Sequence, residues 1–314
     1  MAMMRPLLHI GYHKTGTTWL QRSLFARRDL GFVALEEHAD IHERIVLPHP
    51  LDFDAAACRA HFQPRFKEIA DQGKIPALSA ERLCGNPHSG GYDSKEIADR
   101  LAAVVPEGRV LIVLREQRSI ILSTYKQYVR AGGTAPIRQY LFPPERGRSR
   151  VPMFDFEHFK YHRLIAYYQR LFGRENVLVL PFETFRRAPR EFAARILSFA
   201  GVRCDEAILD TLPFGEKENE GLSGFAVALK RRLNPLVQRD RLNPQVWFPL
   251  RKAEHFLKRY VGAVDAWVPG SLSRALERRL RAVVCEAVGD RYKESNARTS
   301  QLTGLPLADL GYDL

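Results

Sequence analysis

Four short runs of this chain are apolar but for His9 and Ser79: Leu7 to Gly11, Ile75 to Ser79, Val110 to Leu114 and Val177 to Leu180. Runs this short, without polar alternation, read as strands buried on both faces. Helical patterns lie between them, which predicts a parallel sheet with crossover helices. Trp19, Leu20, Leu24 and Phe25 fall on one helical face opposite Arg22, Arg27 and Arg28, with Gly31 past the expected end. Asp155 is placed to cap a long helix carrying Phe159, Leu164, Tyr168 and Leu171 as far as Gly173. Pro189 opens another through Phe192, Ile196, Leu197 and Phe199, before Gly201. A closing helix is expected from Ser273 to about Tyr292. Two stretches crowded with Gly and Pro, Ala131 to Pro152 and Leu212 to Val268, read as irregular insertions. Long connections in a compact domain tend to be lids or binding loops, so a binding site is expected beneath them. No linker, repeat or low-complexity block divides the chain, so residues 1–314 are read as a single domain.

The first strand runs into His13-Lys14-Thr15-Gly16-Thr17-Thr18-Trp19 and then a helix. Loop and first-turn N–H groups converging on one point, with the helix dipole behind them, make an anion cradle. It is not the nucleoside-triphosphate version. Gly11 and Gly16 keep the Walker glycine spacing, but Thr17 stands where the lysine belongs and Lys14 lies inside the loop. That arrangement suits a phosphate-like group transferred without a metal. A second segment, Val110 to Glu116, is a buried-strand run ending in Arg115, and Ser123 follows eight residues later on the expected next helix.

These two segments resemble the sulfotransferases that use 3′-phosphoadenosine 5′-phosphosulfate (PAPS). Phe182-Glu183 and the tail from Glu294-Ser295-Asn296 to Leu302-Thr303-Gly304 are similar to bacterial members. The resemblance implies a P-loop-like α/β fold, a parallel sheet flanked by helices in three layers. It implies PAPS as co-substrate, PAP (3′-phosphoadenosine 5′-phosphate) as product and no metal. Lys14 would contact the bridging oxygen, while Thr15, Gly16, Thr17 and Thr18 cradle the phosphosulfate. Arg115 and Ser123 would grip the 3′-phosphate; otherwise Arg115 pairs with Glu116 or Glu183. Trp19 stacks on adenine or packs the core. Lys217 and Asn219 stand where relatives close a loop over the cofactor, although the Arg-Lys-Gly triplet of the cytosolic branch is missing.

For a general base, Glu81 follows the strand Ile75 to Ser79 and should project at the carboxyl edge of the sheet, as in glycan-modifying relatives. His88, seven residues on, is the second choice, and His13 would assist the leaving group or cap the loop. The acceptor is expected to be a small molecule or glycan, a sugar hydroxyl first and a natural-product or lipid-linked hydroxyl next. The rival readings are a P-loop kinase using ATP and magnesium, and a non-catalytic anion-binding protein.

Composition narrows the setting. A net charge of +12 suits nucleic acid, an acidic membrane surface or anionic small molecules. No nucleic-acid motif is present, and a tetra-anionic cofactor accounts for a basic cleft. No apolar stretch approaches the ~18 residues of a membrane span, and Met1 to Pro6 leads straight into the first strand, so a cytoplasmic protein is expected. Cys58, Cys84, Cys204 and Cys285 are scattered and read as reduced thiols. His158 and His162 have the spacing of one helical face.

Overall fold

The structure, a computed structural model, describes residues 4–35, 38–143, 152–202, 204–215, 221–237 and 253–314. Five strands form one parallel sheet: β1 (Leu7–His9), β2 (Phe32–Ala34), β3 (Ile75–Ser79), β4 (Arg109–Leu114) and β5 (Val177–Pro181). Their order is β2-β3-β1-β4-β5. Leu8 lies between Leu78 of β3 and Val110 of β4, and β4 runs alongside β5 from Val110–Val177 to Leu114–Pro181. The pleat divides the apolar residues between two faces. On one face Leu7, Ile75, Ala77, Leu111 and Val113 pack with Trp19, Leu24 and Phe25 and with Phe192, Ile196 and Leu197. The helix Tyr161–Phe172 packs on β4 and β5, with Ile165 and Tyr168 fully buried, and beside it lies the helix Ser94–Val104. This is the expected α/β sheet with helical flanks.

β2 was not anticipated: three residues are too few to show a period. It is registered by its ends, where Ile75 N donates to Gly31 O at 2.7 Å and Leu35 N to Ala77 O at 2.9 Å. Asp155 does not cap the helix of Tyr168. Phe156–Phe159 forms a separate 3-10 turn, and the α-helix starts at Tyr161 after Lys160. His158 and His162 therefore sit on different elements, and His162 Nδ1 bonds Ser295 Oγ at 2.8 Å.

The closing helix covers Gly270–Val288, and a further helix, Lys293–Thr303, follows it. Its buried positions are Ser295, Asn296 and Thr299, a polar face that hydrophobic periodicity cannot reveal. Asn296 holds the tail by donating from Nδ2 to Asp313 O at 2.8 Å. The segment expected to be irregular from Leu212 to Val268 is helical at Gly224–Val237 and Ala253–Trp267.

By Cα proximity the chain forms two compact units. Met1–Glu116, Glu157–Glu218 and Tyr292–Leu314 make the first, which contains the sheet; Gln117–Phe156 and Asn219–Arg291 make the second, which is helical among its described residues. In the second, buried Asn234 satisfies the end of the helix Gln117–Arg130, its Nδ2 donating to Val129 O and Gly133 O at 2.9 and 2.8 Å. No helix among the described residues is long and apolar enough to cross a membrane.

Candidate functional site

The chain leaves β1 toward β2 and leaves β4 toward β5, so the connections diverge between two neighbouring strands. A crevice opens at the carboxyl ends of such a pair. The loop after β1 stands there. It begins on the sheet, with Ile10 N donating to Leu111 O (3.0 Å) and Tyr12 N to Val113 O (3.3 Å). Buried Tyr12 meets Tyr161 edge-on, ring centroids 4.8 Å apart, and Thr15 Oγ1 donates to Tyr12 O at 2.5 Å to close the turn.

Lys14 adopts φ 67°, a left-handed conformation that costs a non-glycine residue roughly 1–2 kcal/mol. Its carbonyl is held by Arg115 Nη1, which donates from the end of β4 at 2.9 Å. Arg115 lies over the Phe182 ring, 5.3 Å from its centroid. Burial lowers its pKa while Glu183 opposes the shift; a guanidinium stays charged through either. Glu183 accepts instead from Glu116 N at 3.0 Å and from Tyr312 OH at 2.9 Å. Tyr161 OH donates to Arg115 O at 2.5 Å. Four segments distant in sequence, around Arg115, Tyr161, Glu183 and Tyr312, are thereby joined to one loop.

Gly16, at φ 83°, is the N-cap of Thr17–Trp19, which continues as a π-helix through Leu20–Phe25. A Cβ there would stand 3.0 Å from Phe182 Cε2. Gly16→Ala should thus lose about 1–2 kcal/mol of stability from the left-handed backbone alone. Urea unfolding of the variant checks this, and an unchanged midpoint would show that the turn relaxes freely. Gly16 supplies no side-chain cap to the first turn, as an anion-binding helix end requires. Thr17 is 2 % exposed, and its Oγ1 has no hydrogen-bond partner among the described residues. An orphaned buried hydroxyl at a helix N-terminus fits an oxyanion.

The opposite wall follows β3. Glu81 begins the 3-10 turn Glu81–Cys84, and its Oε2 lies 4.0 Å from His13 Nε2. The distance alone suggests an ion pair. Burial, however, pulls the His13 pKa down to about 3, and His88, His158, Arg82 and Lys14 push the same way. The ring is neutral at physiological pH and contributes no charge to Glu81. His13 Nδ1 is buried without a hydrogen-bond partner among the described residues. An Arg82–Asp93 ion pair fixes the loop beyond Glu81, and Asp93 Oδ1 accepts from Asn86 N at 3.1 Å. His88 sits in the short turn Pro87–Ser89, its N–H donating to Asn86 Oδ1 at 3.0 Å.

The predicted residues Lys14, Thr15, Gly16, Thr17, Thr18, His13, Glu81, His88 and Arg115 thus belong to one unit, on loops after β1, β3 and β4. Trp19 is buried in the core, tilted against Phe185 and stacked on Phe214, with Nε1 donating to Pro213 O at 3.1 Å. Ser123 is half-buried on the helix Gln117–Arg130 of the second unit. Lys217 and Asn219 lie outside the described residues. Tyr161 and Tyr312 were missed; each is a lone tyrosine whose partner is remote in sequence.

Residues 5–213, about two thirds of the chain, match the family model of the sulfotransferase domain. The chain belongs to the sulfotransferase family. Sulfuryl transfer is accordingly its general chemistry. Three solved structures are similar to this sulfotransferase. A sulfotransferase from Alicyclobacillus acidocaldarius is 21% identical, covering 68% of this chain and 87% of its own, with a TM-score of 0.48. The sulfotransferase domain from the curacin biosynthetic pathway is 13% identical over 82% of this chain and 97% of its own (TM-score 0.43). A mouse sulfotransferase complexed with PAP is 15% identical over 88% and 89% (TM-score 0.39). No curated protein matches the chain.

Proposed function

We propose that this sulfotransferase moves the sulfuryl group of PAPS to an acceptor hydroxyl, a sugar or glycan hydroxyl first and a natural-product or lipid-linked hydroxyl next. The supporting observation is the buried Thr17 hydroxyl, without a hydrogen-bond partner among the described residues, next to a loop pinned by Arg115. Backbone N–H groups of Thr15, Gly16 and Thr17, with the Thr17 and Thr18 hydroxyls, hold the phosphosulfate, and Arg115 holds the 3′-phosphate. When bound, PAPS supplies an activated sulfur with a nucleotide phosphate as leaving group.

Glu81 takes the acceptor proton as the acceptor oxygen bonds to sulfur and the sulfur–phosphate oxygen bond breaks. Lys14 neutralises the charge that builds on the departing oxygen, so PAP leaves without protonation. Such loose, in-line transfers depend on positioning and charge stabilisation, which a rigid loop provides. His88 is the alternative base. Neutral His13 stands beside Glu81 without competing for its charge.

Calorimetric titration with PAP, set against ATP with magnesium, tests the reading. PAP should bind in the low-micromolar range, and Thr17→Val should weaken it by about tenfold, the worth of one hydrogen bond to a charged group. Binding of ATP with magnesium but not of PAP would overturn the assignment.

A further inference from the structure

The net charge is not spread over the molecule. The segments of the second unit, Gln117–Phe156 and Asn219–Arg291, hold 21 Lys and Arg against 9 Asp and Glu, while the rest of the chain holds 27 of each. The whole excess of +12 therefore belongs to the helical unit, and the unit carrying the loop and Glu81 is neutral. Anion binding at that loop does not account for it.

Within the helical unit, Ala253–Trp267 and Gly270–Val288 are consecutive helices joined by Val268 and Pro269. Leu257 and Val261 of the first are buried with Ala226, and Val284 and Val288 of the second are buried. The outward positions differ. Phe256, Tyr260 and Trp267 are 73%, 48% and 90% exposed and recur on one helical face. Leu272, just past the turn, is 47% exposed. The tip of the hairpin thus presents Trp267, Pro269 and Leu272 to solvent.

The second helix exposes Arg274, Arg278 and Arg281 at the spacing of one face, with Arg279 alongside. Its two acidic residues are engaged elsewhere: Glu277 with Lys126 and Glu286 with Arg138, each at 2.6 Å. Among the described residues none of these four arginines has an ion-pair partner. Arg274 reaches the tip itself, since a Cβ on Gly270 would stand 3.0 Å from its Nη1.

An exposed tryptophan and leucine at a helical tip, flanked by arginines with no ion-pair partner among the described residues, complement the headgroup layer of an anionic bilayer. Indole settles at the polar–apolar boundary, leucine enters below it, and guanidinium groups pair with lipid phosphates. A nucleic acid would use the arginines and leave Leu272 and Phe256 without an apolar counterpart. We propose that this helical hairpin docks the protein on an anionic lipid surface, Trp267 and Leu272 entering the headgroup layer and Arg274, Arg278 and Arg281 holding lipid phosphates.

The test is co-sedimentation of the full chain with phosphatidylcholine vesicles, with and without phosphatidylglycerol. Binding is expected only with the anionic lipid. R274Q/R278Q/R281Q should weaken it on the order of 100-fold, at the usual worth of a basic residue near a charged membrane. W267S/L272S should weaken it on the order of tenfold and remove quenching of tryptophan fluorescence by brominated lipid. All five side chains lie outside the core, and circular dichroism confirms that the variants fold. Equal binding to neutral vesicles, or no loss in either variant, overturns the proposal. So does capture of double-stranded DNA, sensitive to the triple variant, without vesicle binding: that face would then be a polyanion site.

Discussion

Glu81→Gln is expected to lower kcat by about 100- to 10,000-fold while PAP affinity stays within about twofold, because a positioned general base is worth that much and glutamine cannot accept the proton. The side chains match in size, so the turn Glu81–Cys84 and the Arg82–Asp93 pair behind it keep their geometry. Single-turnover sulfuryl transfer with labelled PAPS measures the chemical step, and calorimetry with PAP measures the cradle. The two readouts separate the roles of two residues: substitution of Glu81 should touch chemistry, substitution of Thr17 should touch binding. Full activity in Glu81→Gln, with loss in His88→Asn, would move the base to the turn Pro87–Ser89. Loss of PAP binding in Glu81→Gln would make the residue structural.

The parts of this site legible in the sequence are those carried by continuous segments. The loop after β1 announced itself through Gly11, Lys14, Gly16 and the hydroxyls, and Arg115 through its place at the end of an apolar run. What holds them together was not legible. The bond from Arg115 to Lys14 O joins residues 101 positions apart, and that from Tyr312 to Glu183 joins residues 129 apart. Each is one polar atom meeting another, with no period to reveal it. Trp19 was open between cofactor and core because both uses demand a flat apolar ring; its packing against Phe185 and Phe214 depends on residues far along the chain. The helix Lys293–Thr303 escaped for a related reason, since its buried face is polar and is satisfied by His162 and the tail.

Acid should destabilise this protein well before its carboxylates titrate. His9, on β1, is wholly buried; its Nδ1 bonds Ser79 Oγ at 2.7 Å, and its Nε2 has no partner among the described residues. Burial lowers its pKa from 6.5 to about 3, and His13 is lowered to about 3 as well. Unfolded, both rings take a proton near pH 6.5; folded, they stay neutral down to about 3. Between those values the unfolded chain binds more protons, so stability is fully present above 6.5 and falls as the pH falls. Because the folded rings remain neutral throughout this window, the loss at pH 5 is set by the unfolded-state value alone. It comes to roughly 2 kcal/mol per histidine, or about 4 kcal/mol together. Urea unfolding at pH 7.5 and pH 5 measures it. His9→Asn keeps a nitrogen near the Nδ1 position for Ser79 but cannot ionise, so it should recover about half of the loss; His13→Asn should recover the other half. A pH slope identical in both variants and the parent would place the acid sensitivity elsewhere.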